Sequence, residues 1–486
     1  MLEELDIRNL GPIREATIAP AAGMTAITGE TGAGKSMLLS AIRLVSGGAA
    51  ESSRVSAGAD EAWAQAIFAL SDDAVASEHS GDTNDAGSGD ADSGFTGAAA
   101  AVAKAHDAGV DPEDGELFLS RTVRASGRSR AVLGGKSVPR SVLGAIAGEL
   151  VTIHGQTDQL KIAAAARQRE FLDRVAGDEA ELAAYRKTWD ALAAMDERLE
   201  RLRSQESSAR QQADYLRESI DRINRTDPQP GEDEELKARR ERIENAADIA
   251  QGVGSALGAL DASQVDVDAA DVLSAARVAA AADLGARVTE ELGSLAMLGA
   301  SLEVRVTPRD KADDPLGPYG RDDIAFLFTP FEGSPQLPMG KSASGGELSR
   351  LMLALELVAA DTRGGADQTF IFDEVDAGVG GKAAVELGKR LARLARSAQV
   401  IVVTHLAQVA SWADAQFVVT KEPPDADDDD LGVVTTIAEV NGETRVHEIA
   451  RMLSGSESEA SLDHARELLS DSRLTLPLAG AGAAGD

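Results

Sequence analysis

Two parts of one phosphate-binding pattern stand at opposite ends of this chain. Gly29-Glu30-Thr31-Gly32-Ala33-Gly34-Lys35-Ser36 fits G-x-x-x-x-G-K-[ST] in full. The segments that would complete such a site come about three hundred residues later. They are Ser344-Gly345-Gly346-Glu347 and an apolar run ending in an acidic pair, Thr369-Phe370-Ile371-Phe372-Asp373-Glu374. A compact nucleotide-binding domain keeps such segments within roughly one domain length. This chain must therefore close its fold around a long intervening segment.

The first segment reads as α/β. Strands are expected near Leu5–Ile7, Ile13–Ile18 and Met24–Thr28, the last running straight into the glycine loop. Apolar residues at Met37, Leu38, Ala41, Ile42 and Val45 then have helical spacing, so the loop has the strand–loop–helix setting it needs. Further strands are expected at Trp63–Leu70, Leu117–Val123, Ser129–Leu133 and Leu150–Ile153. From about Ile162 the chain has almost no Gly or Pro and becomes rich in Ala, Glu, Arg and Gln. Leu182, Tyr185, Trp189, Leu192, Met195, Leu199 and Leu202 step almost as a heptad seam. One helix over 162–224 would be roughly 90 Å long, far longer than a globular lobe. Asp227-Pro228-Gln229-Pro230-Gly231 breaks it, and two more helical patterns follow, over 236–257 and 284–298. From Leu302 the α/β character returns, with strands at Leu302–Val306, Asp323–Phe328, Thr369–Phe372 and Val400–Thr404. Helices are expected at 348–360 and 382–396, with closing strands around Val418 and Val433–Val440.

Composition bounds the function. At 486 residues the chain is long enough for two to four structural units. It has no run of 18 apolar residues, so no membrane partner is expected. Its acidic, alternating N-terminus is unlike a signal peptide. Zero cysteines exclude disulfides, thiolate zinc sites and cysteine nucleophiles, and a soluble cytoplasmic protein is expected. The net charge of −33 argues against nucleic-acid binding over the whole surface. Much of that charge is local, however. Residues 71–116 hold twelve acidic residues and one basic one, and Asp425–Asp430 is a second acidic run. Both read as disordered loops, as does the tail 476–486. Arg54, Arg121, Arg124, Arg128 and Arg130 are candidates for a basic surface, with an ordinary solvated hairpin an equal alternative.

The residue types carry specific chemistry. Gly29, Gly32 and Gly34 let backbone N–H groups wrap phosphates, and a helix starting at Lys35 aims its positive end at them. Glu30, Thr31 and Ala33 complete that loop. Lys35 neutralises phosphate charge, and Ser36 offers a hydroxyl to Mg²⁺. Asp373, at a strand end, suits the same Mg²⁺, and Glu374 beside it can take a proton from an attacking water. His405 follows the strand Val400–Thr404 at the edge where parallel sheets collect ligands. Ser344-Gly345-Gly346 before a helix offers a second anion-binding start.

Together, the phosphate loop, His154-Gly155-Gln156, Ser342-Ala343-Ser344-Gly345-Gly346-Glu347-Leu348-Ser349-Arg350, Phe372-Asp373-Glu374, Asp376-Ala377-Gly378 and Thr404-His405 resemble an ABC-type ATPase head split by a coiled coil, as in the SMC-like branch. The wording is most similar to the RecN family of bacterial DNA double-strand-break repair ATPases, over residues 1–70, 117–165 and 300–470. The resemblance implies an N-terminal ATPase lobe (1–161), a coiled-coil arm (162–300), a C-terminal ATPase lobe (301–475) and a flexible tail (476–486). It implies ATP and Mg²⁺, with Ser36, Gln156 and Asp373 toward the metal and Glu374, His405 and Gln156 toward catalysis. Ser344, Gly345, Gly346 and Glu347 would close on the nucleotide of a second copy of the chain. Linear DNA ends, single- or double-stranded, and other recombination proteins are the implied partners, and the nucleoid the implied place. An ABC ATPase of another process and a DNA-bridging scaffold with incidental turnover are the alternatives. Two departures from the family are expected: an arm shortened near 274–282, and the acidic 71–116 insertion extending a surface hairpin.

Overall fold

The structure, a computed structural model, describes residues 1–30, 33–71, 97–155, 164–224, 263–309, 316–342, 344–363, 368–422, 434–455 and 458–472. The strands are β1 (Leu2–Leu10), β2 (Ile13–Ile18), β3 (Met24–Gly29), β4 (Glu61–Ala69), β5 (Glu116–Arg124), β6 (Ser129–Leu133), β7 (Lys136–Val138), β8 (Val151–His154), β9 (Ser301–Pro308), β10 (Asp322–Thr329), β11 (Leu337–Pro338), β12 (Thr369–Phe372), β13 (Gln399–Val403), β14 (Ala415–Glu422) and β15 (Val434–Val440). All but β9–β11 join a 12-stranded sheet in the order β7-β6-β5-β4-β1-β2-β15-β14-β3-β13-β12-β8.

That order knits the two sequence halves together. The half from β7 to β2 is antiparallel, with short hairpin connections at β1–β2, β5–β6 and β6–β7. From β14 to β8 the strands run parallel: β3 pairs with β14 and β13, and β12 pairs with β13 and β8. The parallel strands β12 and β13 are buried along their whole length, as apolar runs covered on both faces must be. β8, from the first half, is placed beside β12, from the second, with His154 opposite Phe372. The lobes at 1–161 and 301–475 are thus two sequence segments of one sheet. A contiguous core runs from Leu5, Ile7 and Ile13 through Leu39 and Phe68 to Ile371 and Ile401.

By contacts the chain forms two compact units. One is Met1–Phe171, Ala281–Arg305 and Ala325–Asp486, and the other is Leu172–Ala280 with Val306–Ile324. The arm therefore divides differently from the expected 162–300. Residues 281–300 group with the sheet unit, whereas 306–324, expected in the C-terminal lobe, group with the arm helices. Within the second unit, Tyr185, Ala270 and Leu273 form a small core with Leu182, Trp189 and Leu316 against it. The Tyr185 hydroxyl donates to the Gly317 carbonyl at 2.7 Å. Arg277 is fully buried and grips Asp173 through Nε and Nη2 at 2.7 and 2.8 Å, with Nη1 on the Tyr319 carbonyl at 2.9 Å and Asp322 at 3.3 Å.

Four expectations change. The helix drawn over 162–224 is two, Ala165–Ala176 and Glu179–Asn224. Gly177, at φ 70°, ends the first by donating its N–H to the Asp173 carbonyl at 3.0 Å. The segment 71–116 is not one disordered insertion, because Ala98–Asp107 is a helix that buries Ala98, Ala101 and Ala105, and Lys104 pairs with Glu149 at 2.6 Å. A helix at Arg140–Leu150 was not expected and buries Leu143, Ile146, Ala147 and Leu150. Arg121 is not on a basic surface: it is buried and donates to Ser129 Oγ at 3.0 Å, whereas Arg124, Arg128 and Arg130 are exposed. The Pro-rich break 227–231, the helical pattern 236–257, the acidic run 425–430 and the tail 476–486 lie outside the described residues, as do 72–96.

Candidate active site

The parallel strands end together, and the chemistry sits at their carboxyl ends. Ile27 of β3 is beside Val403 of β13, and Phe372 of β12 is beside Val402. The Thr404 N–H donates to the Ile27 carbonyl at 3.1 Å, and the Asp373 N–H to the His154 carbonyl at 2.9 Å. The glycine loop, the acidic pair and His405 thereby share one sheet edge, the place where such folds bind ligands.

Gly29 closes β3 at φ 137°, with the Val419 carbonyl where a Cβ would stand. Gly34 (φ 112°) precedes the helix Lys35–Val45, and a Cβ there would come within 3.1 Å of Thr435 Oγ1, which itself donates to the Ala33 carbonyl at 2.9 Å. Both positions demand glycine for conformation as well as for space. Lys35 Nζ is held by the Gly29 and Glu30 carbonyls at 2.6 and 3.0 Å. Burial lowers its pKa from the ordinary lysine value, with Asp376 and Asp373 opposing. Ser36 is exposed in the first turn of that helix, and Ala33 is buried beneath it. Thr31 and Gly32 lie outside the described residues, as do Gln156 and Ala343.

Asp373 is half-buried, and its carboxyl is raised above the ordinary value by burial first and by the charge of Glu374 second, with Arg43 opposing. Gly155 brings these groups close: a Cβ on it would stand 3.0 Å from Arg43 Nη2 and 3.4 Å from Asp373 Cβ. The Asp373 carboxylate and the exposed Ser36 hydroxyl are both hard oxygen donors of the kind that suits Mg²⁺. Glu374 is exposed and has φ 56°, a left-handed backbone rare outside glycine and a strain that clusters at functional sites.

Ser344 precedes the helix Gly345–Arg363, whose first turn is closed by Glu347 Oε2 accepting from the Ser344 N–H at 2.8 Å. The same helix meets the loop after the acidic pair. A Cβ on Gly346 would lie 2.9 Å from Ala377 Cβ and 3.2 Å from the Glu374 carbonyl. Ser349 Oγ donates to the Asp373 carbonyl at 3.0 Å, and Arg350 Nη1 to the Ala377 carbonyl at 2.9 Å.

Sequence reasoning named Asp376 only within the Asp376-Ala377-Gly378 motif, without its partners, and missed Glu448 and Arg451. Asp376 is buried, and its Oδ2 accepts from Thr404 Oγ1 at 2.6 Å and from the His405 N–H at 3.1 Å, with His405 Nδ1 within ion-pair distance at 2.9 Å. Glu448, on the helix Gly442–Ser454, accepts from Thr28 Oγ1 at 3.1 Å and pairs with Arg451 at 2.6 Å. Arg451 adds a second positive charge near Lys35, lowering the lysine pKa further. The spacing of Glu448 and Arg451, one helical turn apart, was the only signal available for that pair.

The comparisons agree with this architecture. A family model described as an AAA domain matches residues 4–101. The Smc head domain with coiled coil and joint from Pyrococcus yayanosii superposes at a TM-score of 0.59 and 16% identity, covering 97% of this chain and 99% of that one. The Smc head with extended coiled coil from Pyrococcus furiosus gives 0.55 and 16%, covering 90% and 96%. These place the fold among SMC-type ATPase heads. The DNA repair protein RecN of Streptomyces coelicolor is 35% identical over 96% of this chain and 99% of its own length, and that of Mycobacterium leprae is 33% identical over 97% and 99%. The first alignment runs over 602 positions against 486 residues here, so more than a hundred residues of that relative have no counterpart in this chain. With a third of its residues shared along nearly its whole length, and with the nucleotide motifs assembled at one sheet edge, the chain belongs to the RecN family of DNA repair proteins.

Proposed function

We propose that the protein hydrolyses ATP to control its association with broken DNA in recombinational repair of double-strand breaks. The observation that carries this reading is the shared edge at which Lys35, Asp373, Glu374 and His405 meet, although they come from segments hundreds of residues apart. In this reading Gly29–Ser36 bind the ATP phosphates, with Lys35 leaving its loop carbonyls for phosphate oxygens. Ser36, Asp373 and Gln156 hold Mg²⁺, which supplies charge neutralisation on the phosphate oxygens when bound. Glu374 accepts the proton of the attacking water, and His405 meets the γ-phosphate.

Ser344, Gly345 and Gly346 of one copy close on the nucleotide of a second, so two heads sandwich two ATP molecules and separate after hydrolysis. Glu347 ties the start of that helix together. DNA ends and other recombination proteins are the partners, in the nucleoid. No described helix is long and apolar enough to cross a membrane.

The test is steady-state ATP hydrolysis at low salt, with and without linear double-stranded DNA, using Glu374→Gln as the blank. Turnover that needs Glu374 and rises with DNA supports the reading. Turnover equal in the parent and in Glu374→Gln overturns the assignment of the base. Turnover indifferent to DNA leaves an ATPase and removes DNA coupling from the heads.

A further inference from the structure

Thr28, the last residue before the phosphate loop, is fully buried and tied to a helix more than four hundred residues away. Its hydroxyl donates to Glu448 Oε1 at 3.1 Å and accepts from Gln416 Nε2, also at 3.1 Å. Arg445, one turn before Glu448, donates from Nε to Gln416 Oε1 at 3.2 Å and so fixes that amide. A buried polar chain thus joins the helix Gly442–Ser454 to the strand that opens into the loop. Thr435 of β15 adds a second tie, through the Ala33 carbonyl.

Glu448 is buried, and a carboxylate there needs a cation. Arg451 supplies it through Nε at 2.6 Å and Nη2 at 2.8 Å, a two-point grip on one edge of the guanidinium. The remaining nitrogen, Nη1, makes no hydrogen bond among the described residues, and the side chain is 36% exposed. The guanidinium lies toward the phosphate loop. Its charge acts on Lys35 more strongly than that of Asp373 or Glu448, and it feels the Glu30 carboxylate in turn. Two cations beside one loop repel each other, and an anion bound between them removes that repulsion.

We propose that Arg451 is a phosphate-binding residue of the nucleotide site, offering Nη1 to a phosphate oxygen, and that Glu448 is the positioning residue that aims it. Glu448 touches no ligand and acts through the guanidinium it grips. Lys35 and Arg451 then meet the polyphosphate as two separate cations, one from the loop and one from the helix Gly442–Ser454. The group recognised is the polyphosphate, not the base or the ribose. The assignment rests on the reading of Gly29–Ser36 as the nucleotide loop.

Equilibrium binding to the full chain in magnesium buffer tests it with two probes. One is the β,γ-imido analogue of ATP, which is not hydrolysed, and the other is inorganic tripolyphosphate, which has no base or ribose. Arg451→Lys keeps a cation for Glu448 but loses the planar two-edged donor, and is expected to weaken both probes by about three- to tenfold. Arg451→Met combined with Glu448→Gln removes both charges together and is expected to weaken both by about ten- to a hundredfold, the worth of a charge-assisted hydrogen bond. Glu448→Gln alone still accepts from Thr28 but loosens the grip on Arg451, with an expected loss of about fivefold. In an Arg451→Met background the same substitution is expected to cost nothing further.

Unchanged affinity in the double variant, or a loss confined to the ATP analogue, overturns the phosphate contact. Losses that multiply between Glu448→Gln and Arg451→Met overturn the positioning role and place Glu448 at the loop through Thr28 instead. Thermal melts show which variants fold. Arg451→Met leaves Glu448 buried without its cation, and should it fail to fold, Arg451→Lys and Glu448→Gln decide, unchanged binding in either being the overturning result. A parent that binds neither probe sinks the nucleotide reading and the proposal with it. A parent that binds both, with variants that bind as well, sinks the proposal alone.

Discussion

Arg350 Nη1 donates to the carbonyl oxygen of Ala377 at 2.9 Å, so the helix that starts at the serine-glycine segment carries the loop that follows the acidic pair Asp373-Glu374. Ser349 on the same helix holds the Asp373 carbonyl, and Gly346 packs on Ala377 and on the Glu374 carbonyl. The guanidinium is buried, and burial lowers its pKa despite the opposing charges of Glu347 and Asp376. Both carbonyls, of Val375 and Ala377, are held by the one Nη1 nitrogen, and lysine's flexible, strongly hydrated ammonium does not reproduce the planar guanidinium's placement of that nitrogen. Arg350→Lys is expected to leave ATP affinity within about threefold, since the phosphate loop is untouched, and to lower kcat by roughly tenfold through a misplaced Glu374. Equilibrium nucleotide binding alongside steady-state rates checks this. An affinity loss equal to the rate loss would mean that Arg350 serves nucleotide binding instead.

Glu374 is the one charged residue of the site with a backbone at φ 56°. Such a conformation costs about 1–2 kcal/mol for a residue with a Cβ, while glycine adopts it freely but loses more entropy on folding. Glu374→Gly is therefore expected to abolish turnover yet leave the unfolding free energy unchanged or higher by up to about 1 kcal/mol. Denaturant melts of the parent and the variant decide it. A loss of more than about 1 kcal/mol would show that the side chain, and not only its carboxylate chemistry, holds the loop.

What the sequence made legible follows from periodicity and from local chemistry. Apolar runs such as Thr369–Phe372 and Val400–Thr404 could only be buried parallel strands, and the residues following them fell at the sheet edge as expected. Asp376 was legible only as the first residue of the Asp376-Ala377-Gly378 motif, because its partners come from residues 404 and 405 and nothing in a loop aspartate signals them. The helix Ala98–Asp107 hid inside a stretch whose acidic, alanine-rich composition suggested disorder, since alanine marks a buried face only weakly. Gly177 was readable as a helix stop, but the long heptad pattern after it drew the helix through. Arg277 lay in the alanine-rich stretch read as the junction of a shortened arm, and only the fold brings Asp173 and Asp322 to it.

That buried cluster gives a stability prediction. Arg277 is fully enclosed and its charge is balanced by Asp173 and Asp322, so removing it leaves two carboxylates without their cation. Arg277→Ala is expected to destabilise the arm-base unit by about 3–5 kcal/mol. Arg277→Met together with Asp173→Leu and Asp322→Asn should recover much of that, because the charges leave together. Urea unfolding of the three proteins, followed by the fluorescence of Trp189 in the same unit, measures both effects. A single substitution costing under about 1 kcal/mol would show that the pair contributes little net stability.

Asp178 sits beside this cluster, buried, with its pKa pushed up to about 7 by burial first and by Asp173 second, while Arg277 pulls it down. The sign follows from linkage. The folded state holds the proton that the unfolded state releases near pH 4, so stability falls as pH rises from about 4 to about 7 and is flat above. Asp178→Asn cannot ionise and is expected to remove that slope, raising the melting temperature at pH 8 by a few degrees while leaving it nearly unchanged at pH 4.5. Thermal melts at pH 4.5, 6, 7 and 8 compare the two proteins. Parallel curves across that range would place the ionisation of Asp178 near the ordinary aspartate value and sever its link to the Arg277 cluster.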